Sequence, residues 1–287
     1  MGLLTIRELE ELTGIRAHTI RVWEQRYDFI KPCRTKSNIR YYCCAELKLL
    51  QDVVLLNKAG YKISKINEWN AEELRVKAGG LEEASLQREN KANEMIAAMI
   101  DLDMERFLDL IENYSSDNGL ERTVEELIHT FLVKSQLLWQ TGHLNPASEM
   151  LAANIIRQKL IVAIELSVPK TERNKNILLF LPENDHNELG LLYSYYVFKS
   201  RGYNTLYLGD NVPLTDLVHI AKQKKPYILF THLVNSDQTF RIDRYLSALA
   251  KELPDAEIIV SGKLQPAPRG SYENVRFVEE IHTWDRS

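Results

Sequence analysis

"LPENDHNELGLLYSYYVFKSRGYNTLYLG", residues 181–209, changes period twice in one short run, and that change decides the fold. The Pro-Glu-Asn-Asp cluster at 182–185 is turn chemistry leaving an apolar run. Residues 187–201 repeat apolar side chains at helical spacing, Arg201-Gly202 interrupts them, and "TLYL" at 205–208 reads as a strand. Strand, helix and strand in this order make the unit of a parallel sheet. Its loop carries Glu183, Asp185, His186, Asn187 and Glu188. That is where an open α/β sheet takes a ligand, outside the carboxyl ends of its strands.

Working outward, "NILLFL", "YILFTHL", "AEIIVSG" and "VRFV" supply further strands, and 213–224 and 238–252 supply further helices. Continuous apolar strands mean a sheet covered on both faces, so residues 171–287 are expected to form a flavodoxin-like (Rossmann-like) α/β domain. Upstream, 81–170 is helical throughout, with breaks near 102–103, 115–119 and 142–146. Those loop lengths suit a four-helix bundle. "AEELRVKAGG", residues 71–80, reads as a linker with Gly79-Gly80 as a joint.

Residues 1–70 differ again. "TIRELEELTG" has Thr5 placed to cap, Glu8 three residues on and Gly14 as a stop. "RAHTIRVWEQRYD" puts Ile20, Trp23 and Tyr27 on one face, and two short helices joined by a Gly-containing turn are a helix-turn-helix. "IKPCRTKSNIRYY" follows as a basic hairpin, or wing. The head holds twelve Lys and Arg against eight Asp and Glu, whereas the whole chain carries −4. A basic head on an acidic body directs a polyanion to the head.

At 287 residues, 45% hydrophobic and 26% charged, the chain has the composition of a soluble multidomain protein. No window is long and apolar enough to span a membrane, and the N-terminus lacks the pattern of a signal peptide. Its three cysteines, Cys33, Cys43 and Cys44, have no metal-ligand spacing. A reduced, cytoplasmic protein is expected. No nucleophile–base pair, phosphate loop or zinc spacing points to an enzyme, so no catalytic or metal residue is assigned.

The pattern "TIRELEELTGIRAHTIRVWEQRY", the wing "RTKSNIRYY" and "LLNKAGYKISKI" resemble the DNA-binding domain of MerR-family regulators. The form Arg21-x-Trp23-Glu24-x-Arg26-Tyr27 is similar to the MerR branch with a C-terminal cobalamin-binding domain. A recognition helix docks an apolar face and offers polar residues to the major groove. Here Arg16, His18, Thr19 and Arg21 supply the latter, and Arg34, Lys36 and Arg40 on the wing can meet phosphates. Tyr41 stands with them; packing beside Tyr42 and Trp23 is its other reading.

The bundle and α/β region resemble the cobalamin-binding region of methionine synthases and of the light-sensing MerR branch. That resemblance implies a loop Asp/Glu-x-His-x-x-Gly whose His ligates cobalt from below. The register here is Asp185-His186-Asn187-Glu188-Leu189-Gly190, so Asn187 holds the axial position and His186 the variable one before it. The resemblance also implies a Trp, nine residues, then Glu-His above the cobalt; here these are Trp139, Glu149 and Met150. The tail-pocket positions correspond to Thr231-His232-Leu233 and Ser261-Gly262, thicker than the small residues of the family. An amide is a poor transition-metal ligand and a thioether suits soft metals. No cofactor is therefore expected, with cobalamin as the alternative.

The expected function is a MerR-type DNA-binding regulator, a repressor by resemblance, whose C-terminal region serves oligomerisation or sensing. Its partners would be double-stranded DNA, a second copy of the chain as dimer or tetramer, and a protein or small-molecule effector. A light-responsive regulator that still binds cobalamin, a corrinoid methyl-transfer module and a scaffold no longer reading DNA are the alternatives.

Overall fold

The computed structural model describes residues 4–34, 40–81, 83–140, 145–169, 173–234, 242–262, 270 and 272–279. The chain divides into two compact units, Met1–Ile155 and Ile156–Ser287.

The first unit opens with α1 (Ile6–Thr13). Its capping box is complete: Thr5 N–H donates to Glu8 Oε2 at 2.5 Å and Glu8 N–H to Thr5 Oγ1 at 3.4 Å. Gly14, at φ 71°, ends the helix in the left-handed region, which glycine enters without a Cβ penalty. α2 (Ala17–Arg26) buries Ile20 and Trp23. The wing follows as antiparallel β1 (Cys33–Arg34) and β2 (Arg40–Tyr41), and Leu4 exchanges both backbone hydrogen bonds with Tyr42 at 2.8 Å. α3 (Cys44–Lys58) is buried along Leu47, Leu50, Val53 and Val54, and α4 (Ile63–Ile66) seats Ile66.

Residues 71–80, expected as a linker, are helical instead over α5 (Ala71–Gly79). Asn70 accepts from Glu73 N–H at 3.0 Å while Glu73 reaches back to Asn70 N–H at 2.9 Å, and Leu74 and Ala78 are buried. A capped start and an apolar i, i+4 pair outweigh the two glycines, which only terminate the helix.

The bundle comprises α6 (Ala84–Asp101), α7 (Met104–Asn118) and a third rod running from α8 (Leu120–Arg122) through a π-helical stretch (Thr123–Ile128) into α9 (His129–Gln140); α10 (Pro146–Leu166) begins in the first unit and ends in the second. α3 packs on α5 and α6, and α1 on α9. Ion pairs Lys48–Asp101 at 2.6 Å and Lys58–Glu89 at 2.7 Å line the α3–α6 seam, and Lys134 Nζ donates to Asn93 at 2.5 Å. Partly exposed pairs of this kind add little; the buried apolar face of α3 is the main contribution.

The second unit is a five-stranded all-parallel sheet, ordered β4 (Tyr203–Val212), β3 (Arg173–Pro182), β5 (Ile228–His232), β6 (Glu257–Ser261), β7 (Val275–Val278), with α11 (Glu188–Ser200), α12 (Leu214–Lys224) and α13 (Ile242–Glu252) between strands. Every residue from Ile177 to Leu181 is fully buried, as a central parallel strand requires. From β3 the chain goes first to one side and then to the other, so a topological switch point lies at its carboxyl end. The loop 183–187 leaves β3 there.

Candidate nucleic-acid interface and ligand crevice

α2 is anchored before it is exposed. Glu10 accepts from Ala17 N–H at 3.1 Å, which satisfies a first-turn donor and fixes the angle between α1 and α2. Arg16, His18 and Arg21 then stand exposed and Thr19 half-buried along one end of the helix, while Ile20 and Trp23 dock inward. On the wing Arg34 is exposed and Tyr41 half-buried; Lys36 lies outside the described residues. Tyr42 and Trp23 are packing residues, 0% and 7% exposed.

Arg40, expected to meet phosphate, also has a partner within the protein. Its Nε donates to Glu24 Oε2 at 3.0 Å, and the Tyr42 hydroxyl donates to Glu24 Oε1. Glu24 is only 6% exposed. Burial first, then the bond to Glu24, raises the Tyr42 phenol above its ordinary value. One carboxylate thus ties α2 to β2 and to Tyr42 behind it.

At the carboxyl end of β3 the loop is ordered by side chains. Asn187 N–H donates to Asp185 Oδ1 at 3.0 Å, and Asn184, at φ 67°, donates its N–H to Asn211 Oδ1 at 2.9 Å. Burial raises the Asp185 carboxyl, although the bond from Asn187 and the nearby His186 oppose the rise. His186 Nδ1 meets Asp210 Oδ2 at 2.6 Å, with both side chains exposed. Asn187 is the exposed N-cap residue of α11 and makes no side-chain cap bond. Glu188 is held by specific partners: Arg157 Nη2 at 2.6 Å and the Tyr207 hydroxyl at 2.7 Å.

Gly190, Thr231, Leu233, Ser261 and Gly262 converge at the ends of α11, β5 and β6, around the middle residue of the 231–233 run. That residue is His232, whose Nδ1 lies 2.9 Å from Ser261 Oγ. A β-carbon built on Gly190 would overlap its ring, with Cγ 2.8 Å away. Thr231 is fully buried, and its Oγ1 has no partner among the described residues. Leu233 N–H donates to the Ser261 carbonyl at 2.9 Å. Gly262 sits at φ 105° against the Leu233 carbonyl. In the first unit Glu149 is half-buried, its carboxyl raised by burial, and Met150 beside it is 65% exposed. The side chain of Trp139 lies outside the described residues. No group of three or more His, Cys, Asp or Glu placed to hold a metal occurs among the described residues.

Comparison with known proteins gives matches over both regions. Residues 4–73 match the model of the MerR HTH family regulatory protein, and residues 91–163 match that of a B12 binding domain. The chain is 30% identical over 237 residues to the HTH-type transcriptional repressor CarA of Myxococcus xanthus, covering 81% of this chain and 77% of that protein. It is 26% identical over 250 residues to the HTH-type transcriptional repressor CarH of the same organism, covering 85% and 83%. In fold it is similar to the monomethylamine corrinoid protein of Methanosarcina barkeri, with TM-score 0.55, 12% identity and coverage of 67% of this chain and 94% of that one.

Proposed function

The chain belongs to the MerR HTH regulators that carry a B12 binding domain, the family of the CarH and CarA repressors, and from that premise we propose that it represses transcription by binding double-stranded DNA. Residues 1–70 read the DNA, 81–170 form the bundle, and 171–287 serve oligomerisation or sensing with normal cobalamin ligation lost. The observation that carries the DNA reading is the exposed row Arg16, His18 and Arg21 on a helix whose other face is anchored. Such a row meets base edges and phosphates in a major groove. No helix among the described residues is long and apolar enough to cross a membrane, in keeping with action in the cytoplasm.

The reading of lost ligation is supported by the donors present. Asn187 offers an amide at the axial position, a weak ligand for cobalt, and the space beside Gly190 is filled by His232. These residues do not fit a corrinoid held with its nucleotide tail inside the domain and its cobalt on residue 187. The second reading, a regulator that still takes cobalamin, is favoured by the His186–Asp210 pair. A carboxylate on one imidazole nitrogen orients the other toward a metal.

Electrophoretic shift with a cognate operator, at low and high salt, tests the DNA reading. Arg21→Ala should cost about 1–3 kcal/mol and relax one position of the site; equal weakening on every sequence would make Arg21 a phosphate contact. Cobalamin titration in the dark and after illumination, followed by absorbance and by mass in solution, separates the two readings of the C-terminal region. Bound, red-shifted cobalamin with a change of mass would establish the second.

A further inference from the structure

The crevice at the ends of β3, β5 and β6 opens a space with glycines and then fills it with one ring. Gly190, in the first turn of α11, has no side chain where a β-carbon would strike the His232 imidazole. Gly262 brackets the ring from β6: a β-carbon there would lie 3.5 Å from His232 Cε1. Ser261, 1% exposed, fixes the ring orientation through its contact with Nδ1 at 2.9 Å. The pairing of His232 with Ser261 across β5 and β6 brings the two side chains to the same face of the sheet. Burial draws the imidazole down to about 4, so at neutral pH the space is closed by an uncharged aromatic ring that needs no counter-ion.

We propose that His232, oriented by Ser261, closes the channel between α11 and the β5–β6 edge, and so determines which corrinoids this chain accepts. The inference rests on the reading of lost ligation and deepens it: the missing axial imidazole is one obstacle, and a filled channel is a second, independent one. An aromatic nucleotide base and the imidazole cannot share the space, because protein interiors are packed without room for another ring. A corrinoid reaches this domain only with its nucleotide tail outside. A corrinoid lacking the tail meets no such obstacle.

The full-length protein would be titrated with cobalamin and with cobinamide, which has no nucleotide tail, and followed by visible absorption. Wild type should show no preference for cobalamin. His232→Gly with Ser261→Gly should prefer cobalamin by at least about tenfold, with the spectrum of a tail detached from cobalt. His232→Ser, a milder change, should move the same way and covers the case in which the double variant does not fold. Wild type that already prefers cobalamin with a detached tail would overturn the proposal. So would folded variants, checked by circular dichroism, that gain no preference. Electron paramagnetic resonance of cobalt(II) cobinamide on wild type reports separately on the underlying reading. Nitrogen splitting there would reveal a protein imidazole and sink the reading of lost ligation, while the channel still stands or falls on the tail preference.

Discussion

Replacing Glu24 isolates the contact that couples α2 to β2. In Glu24→Ala the Tyr42 hydroxyl loses its acceptor in a site where Tyr42 is fully buried, and an unsatisfied buried polar group costs about 1–3 kcal/mol. Arg40 loses its carboxylate as well. Breaking a fully buried pair costs about 3–5 kcal/mol, but Arg40 is 33% exposed and recovers water, so most of that is screened. Together the loss is about 2–3 kcal/mol. Glu24→Gln keeps an acceptor for Tyr42 and should cost about 1 kcal/mol. Hydrogen exchange resolved by peptide is the assay, because the two units need not unfold together. Protection of the amides in 17–26 and 40–42 should fall by roughly 30- to 150-fold in Glu24→Ala, with the α/β unit unchanged. Equal loss in the Gln and Ala variants would refute the reasoning, as would a change too small to separate from wild type.

Because Arg40 is directed at Glu24, Arg40→Ala should leave the salt dependence of DNA binding nearly unchanged, whereas Arg34→Ala should flatten its slope by about one; binding isotherms at several salt concentrations decide it. Burial raises the Asp52 carboxyl to about 6, against the pull of Arg75 and with a further push from Glu94. The folded state therefore favours protonated Asp52, and the cost of ionising it is absent below about pH 4, grows as pH rises to about 6, and is full above. Asp52→Asn should then gain up to about 2 kcal/mol on wild type at pH 7 and nothing at pH 4, as urea unfolding across that range would show. Asn187→His with Met150→His should recover little cobalamin affinity alone and more in a His232→Gly background; full recovery without the glycine would mean that the ligand was the only obstacle.

Elements defined by local chemistry were legible in the sequence. The Thr5–Glu8 box, the Gly14 stop and the apolar strands follow from spacing alone, and they appear as expected. α5 was legible too, through Asn70 and Glu73, but the glycine pair behind it draws the eye to a joint. Pairings between distant residues were not legible. Nothing near Arg40 announces Glu24, since their approach depends on how the wing folds back onto α2. His232 reads as a strand-end residue lining a pocket, and only the alignment of β5 with β6 and the seat of α11 show that it fills the space beside Gly190. The π-helical stretch at Thr123–Ile128 leaves no mark in the pattern, because one wide turn alters no residue type.

The packing of α3 on α6 joins the head to the bundle, with a consequence for the proposed reading of DNA. The head and α6 to α9 share one unit of 155 residues, so under the proposed function α2 is the tip of a caliper arm rather than a bead on a string. Were two copies to assemble as proposed, the gap between tips would be set by how the arms are hinged together, and half-site spacing on an operator would be matched to that gap. A shift of a few degrees where the arms meet would move the tips off register with the groove. No residue touching DNA need change for such a protein to let go.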